Sequence, residues 1–199
     1  CFRKWKISAL CFLVAILSLV EGRAHLQAPY TFQAPKGEAP LSVMSFNHLL
    51  FQEDYPGIER WIRSHGKNLD VISLIEAQRK GTAALAQNLS DLYPHQILEP
   101  RSGSTGIIVL SKHHVTDIEK ENIMGVRYEL LSSIGFTIRH SKLNKNIRFY
   151  ITHPPVPRNA EFWEFRNNVM HSIARKSKRY NNHVIVMGDL NNTPFTPSF

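Results

Sequence analysis

Thiols are nearly absent from this chain. Its two cysteines, Cys1 and Cys11, both fall in the leading segment, so the rest carries neither a disulfide framework nor a thiolate metal site. A run of the roughly 20 apolar residues that comfortably spans a bilayer is also lacking; the longest, from Ile7 to Val20, is shorter. There is no internal repeat and no low-complexity tract, which leaves one globular domain with an N-terminal extension. Acidic residues are outnumbered: 16 Asp and Glu face 24 Lys and Arg, for a net charge of +8 and a pI near 9.7. That balance suits an anionic partner such as nucleic acid, phospholipid headgroups or a phosphorylated small molecule, without choosing among them.

The extension has its own pattern. Arg3, Lys4 and Lys6 precede the apolar run and Glu21-Gly22-Arg23 ends it, which reads over 1–23 as a signal peptide or a short membrane anchor. The basic end belongs in the cytoplasm, so the domain is expected outside it, membrane-anchored or secreted, and in the periplasm if the source is bacterial. A buried core helix is the alternative. The first residue is not Met, and earlier sequence is expected. Residues 24–40, with Pro29, Pro35, Gly37 and Pro40, read as a Pro-rich linker, and 41–199 as the domain.

Within the domain, β-branched and apolar runs predict strands over 41–46, 69–75, 106–110, 128–138, 147–152 and 183–187. Helical spacing covers 56–66, 82–89 and 161–180, the last with Phe162, Phe165, Val169 and Ile173 on one side. Alternating strands and helices joined by hairpins predict a mixed α/β sandwich. Four strand ends deliver polar groups: Asn47, Glu76, His153, and the Asp189/Asn191 pair after Gly188. The C-terminal ends of buried strands are where α/β folds place their sites. If the chain stays extended beyond Gly188, Asp189 and Asn191 point to the same face, a carboxylate beside an amide, suited to a hard cation and a phosphate oxygen. The plainer reading of that stretch is an Asx-type turn.

The ordered segments Ser45-Phe46-Asn47, Asp70-Val71-Ile72-Ser73-Leu74-Ile75-Glu76, Thr152-His153-Pro154-Pro155 and Gly188-Asp189-Leu190-Asn191 resemble the motifs of the endonuclease/exonuclease/phosphatase superfamily, the DNase I-like hydrolases. The leader and the Gly-Asp-Leu-Asn-x-Thr-Pro segment look most like its bacterial, membrane-anchored YafD-like branch. The resemblance implies a four-layered α/β sandwich, two mixed sheets with helices outside. A monomer is expected, and the resemblance implies hydrolysis of phosphodiesters by attack of activated water, with Mg²⁺ or Mn²⁺. Glu76 would be the main metal ligand with Asn47 nearby, and Asp189 would orient or deprotonate the water. Asn191 would donate to a phosphate oxygen, and His153 would sit at the scissile phosphate. Family members end on a further Asp-His pair that this sequence lacks, so a C-terminally truncated domain is expected. Its turnover should be lower by about two orders of magnitude or more.

Weaker candidates accompany these. Ser102-Gly103-Ser104-Thr105-Gly106 has the composition of a phosphate-cradling loop without the Lys that usually follows, and Arg101 beside it is a candidate phosphate contact. Arg139, Lys142, Lys145 and Arg148 predict a basic hairpin suited to DNA or an anionic bilayer. Three classes stay open: a metal-dependent phosphodiesterase or nuclease; a phosphomonoesterase or phospholipase-like hydrolase on the same scaffold; and a non-catalytic anchored binding module.

Overall fold

The computed structural model describes residues 12–14, 41–50, 53–123, 130–140, 144–180 and 183–192. The 1–23 leader (apart from 12–14), the 24–40 linker, Lys142 and the Thr193-Pro194 end of the last motif lie outside the described residues. In chain order the domain runs β1 (Val43–Asn47), α1 (Tyr55–His65), β2 (Val71–Ile75), α2 (Arg79–Asn88), β3 (His95–Glu99), β4 (Ile107–Ser111), β5 (Val115–Ile123), β6 (Leu130–His140), β7 (Lys145–Thr152), α3 (Ala160–Ser177) and β8 (Val184–Gly188).

Two four-stranded mixed sheets result, ordered β1-β2-β4-β3 and β5-β6-β7-β8. Each holds one parallel pair, β1 with β2 and β7 with β8, and is otherwise antiparallel. The period of two along each strand divides its side chains between layers. Val71, Ile75, Ile107 and Val109 of the first sheet meet Ile134, Phe136, Ile138, Ile147, Phe149 and Ile151 of the second. Phe136 and Phe149 stack there with centroids 5.0 Å apart. The alternate residues turn outward under helices: Ile72, Leu74, Ile108 and Leu110 beneath α1 and α2 with Ile62, Leu85 and Leu89, and Tyr150 beneath α3 with Val169 and Ile173. Strands covered on both faces read as near-continuous apolar runs, as β4 does up to Ser111 and β2 does apart from Ser73. Burying each Ile, Leu or Phe contributes about 1.5–3 kcal/mol. The architecture is the expected four-layered sandwich, helix, sheet, sheet, helix.

Local chemistry sets the boundaries. Asp54 caps α1 by accepting from Gly57 N at 2.8 Å with proline in the first turn, and Asn159 caps α3 by accepting from Phe162 N at 2.8 Å. Within α2 the backbone is non-helical at Lys80 and Gly81, so regular helix begins at Thr82.

Several expectations need correction. β3 and β5 lie outside the runs that predict strands; both are polar strands at one end of their sheet's order. β8 is not a fully buried strand, since Val186 is 42% exposed. Arg148 leaves the basic hairpin altogether. It is 1% exposed, pairs with Glu119 at 3.0 Å and lies over the Tyr150 and Tyr180 rings at 5.0 and 5.3 Å. Its register partner on β6 is Thr137, and at Gly135, two residues along that strand, a Cβ would stand 2.4 Å from an Arg148 nitrogen.

Candidate active site

Both parallel strand pairs point the same way in the sandwich, so the C-terminal ends of β1, β2, β7 and β8 gather at one end. Asn47 is the last residue of β1; Glu76, His153 and Asp189 each follow immediately on a strand. The Asn47 amide Nδ2 donates to Glu76 Oε1 at 2.8 Å and to Asp189 Oδ2 at 3.2 Å, joining the two sheets across the cleft. His153 Nε2 stands 3.9 Å from each of the same two oxygens. Its other nitrogen, Nδ1, is 2.9 Å from the Ser104 carbonyl. A carbonyl only accepts, so Nδ1 carries the proton and Nε2 is turned toward the carboxylates.

The turns that hold these groups carry backbone strain. Glu76 (φ 66°), Leu49 (φ 70°) and Asn191 (φ 46°) are in the left-handed region although none is glycine, a cost of roughly 1–2 kcal/mol each that concentrates at functional sites. Gly188, at φ 137°, lies so close to the neighbouring strand that a Cβ would meet the Thr152 carbonyl oxygen at 2.0 Å. Both the plain and the functional readings of these polar residues hold together. Asn47 Oδ1 accepts from Leu49 N (2.9 Å) and Asp189 Oδ1 accepts from Asn191 N (3.0 Å), two Asx turns, while the other atom of each side chain faces the cluster.

That turn overturns one expectation. The chain does not stay extended beyond Gly188, so Asp189 and Asn191 are not simply side by side; the Asn191 amide instead donates to the Pro154 carbonyl at 2.8 Å. Buried Arg166 of α3 donates to the Asn191 carbonyl at 3.3 Å, holding the loop from behind. Glu76, His153, Asp189 and Asn191 nevertheless line one cleft of ≈ 390 Å³, along with Ser104, Thr105, Arg158 and apolar Leu50, Leu130, Val156 and Phe162. Arg101 is not brought there. Its guanidinium pairs with Glu99 at 3.1 Å and its backbone bridges to Gln78.

Sequence reasoning undervalued the 102–105 loop, which serves the site through the Ser104 carbonyl rather than as a phosphate cradle. It also passed over Arg158 and Phe162, whose only local signal is their place around the Asn159 cap of α3.

The donor set fits a hard divalent cation. Two carboxylate oxygens converge on an amide N–H that occupies, with its partial positive charge, the place of a cation between them. Among the described residues no thiolate lines the cleft and oxygen donors dominate, as Mg²⁺ and Mn²⁺ require.

The sequence profile of the endonuclease/exonuclease/phosphatase family matches residues 44–199. The chain belongs to that family. Its membership places this endonuclease/exonuclease/phosphatase protein among phosphoester hydrolases. Solved structures agree on the fold. The Staphylococcus aureus beta toxin superposes with a TM-score of 0.63 at 20% identity, over 80% of this chain and 69% of that one. Sphingomyelinase C from Streptomyces griseocarneus gives 0.60 at 19%, over 80% and 68%. The 3′ phosphatase NExo from Neisseria, solved with a product DNA hairpin, gives 0.59 at 13%, over 78% and 59%. No curated protein sequence matches the chain. No helix among the described residues is long and apolar enough to cross a membrane.

Proposed function

We propose that the cleft hydrolyses a phosphodiester by direct attack of water, with a divalent cation, Mg²⁺ or Mn²⁺, held by Glu76 and by Asn47 once its amide turns to present Oδ1 in place of Nδ2. The observation that carries this reading is the convergence of the Glu76 and Asp189 carboxylates on one amide, with His153 beside them. When bound, the cation supplies Lewis acidity to the phosphoryl oxygens.

The chain's own groups do the rest. Asp189, its Oδ1 held by Asn191 N, orients the water through Oδ2 and accepts a proton as the new O–P bond forms. The leaving alkoxide departs as the old O–P bond breaks and takes its proton from solvent. His153, with Nδ1–H fixed on Ser104, turns Nε2 into the cleft, where its imidazolium form donates Nε2–H to the phosphate oxygen on which charge builds up. The second amide hydrogen of Asn191 and the guanidinium of Arg158 serve the non-bridging oxygens.

A second reading, a phospholipid phosphodiester rather than a nucleic acid, is favoured by the apolar wall of Leu50, Leu130, Val156 and Phe162. The sphingomyelinase C name of a similar fold is consistent with it. In the wider reading, the leader tethers a monomeric domain at a membrane outside the cytoplasm, as in the YafD-like branch.

Turnover on plasmid DNA, sphingomyelin vesicles, inositol phosphates and bis-p-nitrophenyl phosphate, with Mg²⁺ and with a Glu76→Ala control, tests the proposal. Glu76-dependent cleavage of a diester supports it. Cleavage of monoesters alone would replace it with a phosphomonoesterase, and Mg²⁺ binding without any turnover with a binding module.

A further inference from the structure

The end of the sandwich remote from the cleft carries a second cluster. Asp70 immediately precedes β2 and Glu76 immediately follows it, so the two acids are separated by about 20 Å of extended chain. The antiparallel ladder sets Ser111 of β4 opposite Val71, with Lys112 N donating to the Asp70 carbonyl at 3.0 Å, and so brings His113 beside Asp70. Ser42 N donates to Asp70 Oδ2 at 2.8 Å, which leaves Oδ1 facing His113 Nε2 at 3.2 Å. Ser111 Oγ in turn accepts from His113 N and donates to the His113 carbonyl, holding that turn.

The third member comes from the other sheet. The inward series of β6, Ile134, Phe136 and Ile138, continues at the same period of two to His140, which is 3% exposed. Its ring lies 5.2 Å from that of His113. One ligand atom from each of Asp70, His113 and His140 lies within 4.8 Å of the others. Apolar packing between the sheets thus ends on two imidazoles and a carboxylate.

We propose that Asp70, His113 and His140 bind a borderline divalent cation, of which Zn²⁺ is the type, and that it clamps the two sheets together. Two nitrogens and one carboxylate oxygen are the donor set such ions select, whereas Mg²⁺ and Ca²⁺ select oxygen alone. Bonds of 2.0–2.1 Å in a tetrahedron set ligand atoms about 3.3 Å apart, and the Asp70–His113 pair already has that spacing. The Ser42 N–H on the far carboxylate oxygen supplies the supporting contact that metal-binding carboxylates ordinarily have. Three protein ligands leave a fourth position for water. This site is independent of the Glu76 cleft and of what that cleft hydrolyses.

The test is ¹H–¹⁵N NMR of the imidazole nitrogens in the metal-free full chain, titrated with Zn²⁺ and separately with Mg²⁺. The expected result is that one equivalent of Zn²⁺ shifts the His113 and His140 nitrogens together, and that Mg²⁺ does not. A titration in which they stay unmoved, or in which only His153 responds, overturns the proposal and leaves a plain Asp70–His113 hydrogen bond. Variants give a second measurement. Asp70→Asn and His140→Gln should each weaken Zn²⁺ binding by more than about 100-fold, above the roughly 10–100-fold that loss of an outer contact costs, and Glu76→Gln should leave it unchanged. Equal Zn²⁺ affinity in His140→Gln, or its loss in Glu76→Gln, overturns the proposal. Because the NMR titration uses the unaltered chain, a variant that fails to fold does not remove the test.

Discussion

Replacing Glu76 with Gln separates charge from shape at the centre of the cleft. Gln keeps an oxygen for the Asn47 amide, 2.8 Å away, and fills the volume of a side chain that is only 13% exposed. It also meets the same left-handed backbone at residue 76, so the metal-free protein should change in stability by less than about 1 kcal/mol. What disappears is the attraction for a cation. A ligand present at 100 times its Kd stabilises the native state by about 2.7 kcal/mol, which in a domain of this size raises Tm by roughly 5–10 °C. Glu76→Gln should lose most of that Mg²⁺-dependent rise. Its turnover of bis-p-nitrophenyl phosphate should drop on the order of 10²–10³-fold, the usual loss when one preorganised charge is removed. Melting curves with and without Mg²⁺, run beside the turnover assay, decide the matter. An equal Mg²⁺ rise in both proteins would refute Glu76 as the cation's ligand. A Tm already several degrees lower without Mg²⁺ would refute the claim that a hydrogen bond, rather than charge, sustains the metal-free arrangement.

His153→Asn should lower turnover by about 10²-fold while keeping the Mg²⁺ rise in Tm, because the imidazole faces the phosphate and not the cation; a lost rise would contradict that division. Arg158→Ala should raise KM about tenfold and weaken its salt dependence with little change in kcat, the mark of a phosphate contact made before the reaction. Gly188→Ala should cost about 2 kcal/mol or more in urea unfolding, since its Cβ would meet the Thr152 carbonyl at 2.0 Å on a backbone with φ 137°; a loss below half of that would mean the strand end relaxes freely. Burial, and then the charge of Asp70, pushes the Tyr93 hydroxyl up to about 12. Its folded form therefore stays neutral while the unfolded tyrosine ionises near 10. The stability it contributes is complete below about pH 10 and is lost as pH rises toward about 12. Urea midpoints should decline across that window less steeply in Tyr93→Phe, and parallel declines would contradict the assignment.

Much of the site was legible because each member sits directly beyond an apolar run: Asn47 and Glu76 after β1 and β2, His153 after β7, Asp189 after β8. A run of β-branched residues announces its own end, so the residues delivered there can be named without knowing the sheet order. Parallel pairing then brings the four ends together. Other features had no such signal. β3 buries only Ile97 fully, and β5 carries charges and a register shift between Thr116 and Glu119 that breaks the period of two. Arg148 read as surface because charged residues are seldom buried; its place depends on Glu119, Gly135 and Tyr180, all distant in sequence, as well as on Tyr150 two residues along its own strand. Asp70 and His113 are 43 residues apart, and only the β2–β4 register unites them. The Asp189/Asn191 geometry failed for a local reason, because the positive φ at Gly188 and at Asn191 ends the extended chain that the same-face reading assumed.

The most direct test of the central claim is turnover of bis-p-nitrophenyl phosphate by this chain after its cations are stripped with EDTA, followed by back-titration with Mg²⁺, with the Glu76→Ala chain as the blank. The expected result is no turnover in the stripped protein and a saturable return with Mg²⁺ that the Glu76→Ala chain does not share. Turnover that survives stripping, or that returns equally without Glu76, would contradict it.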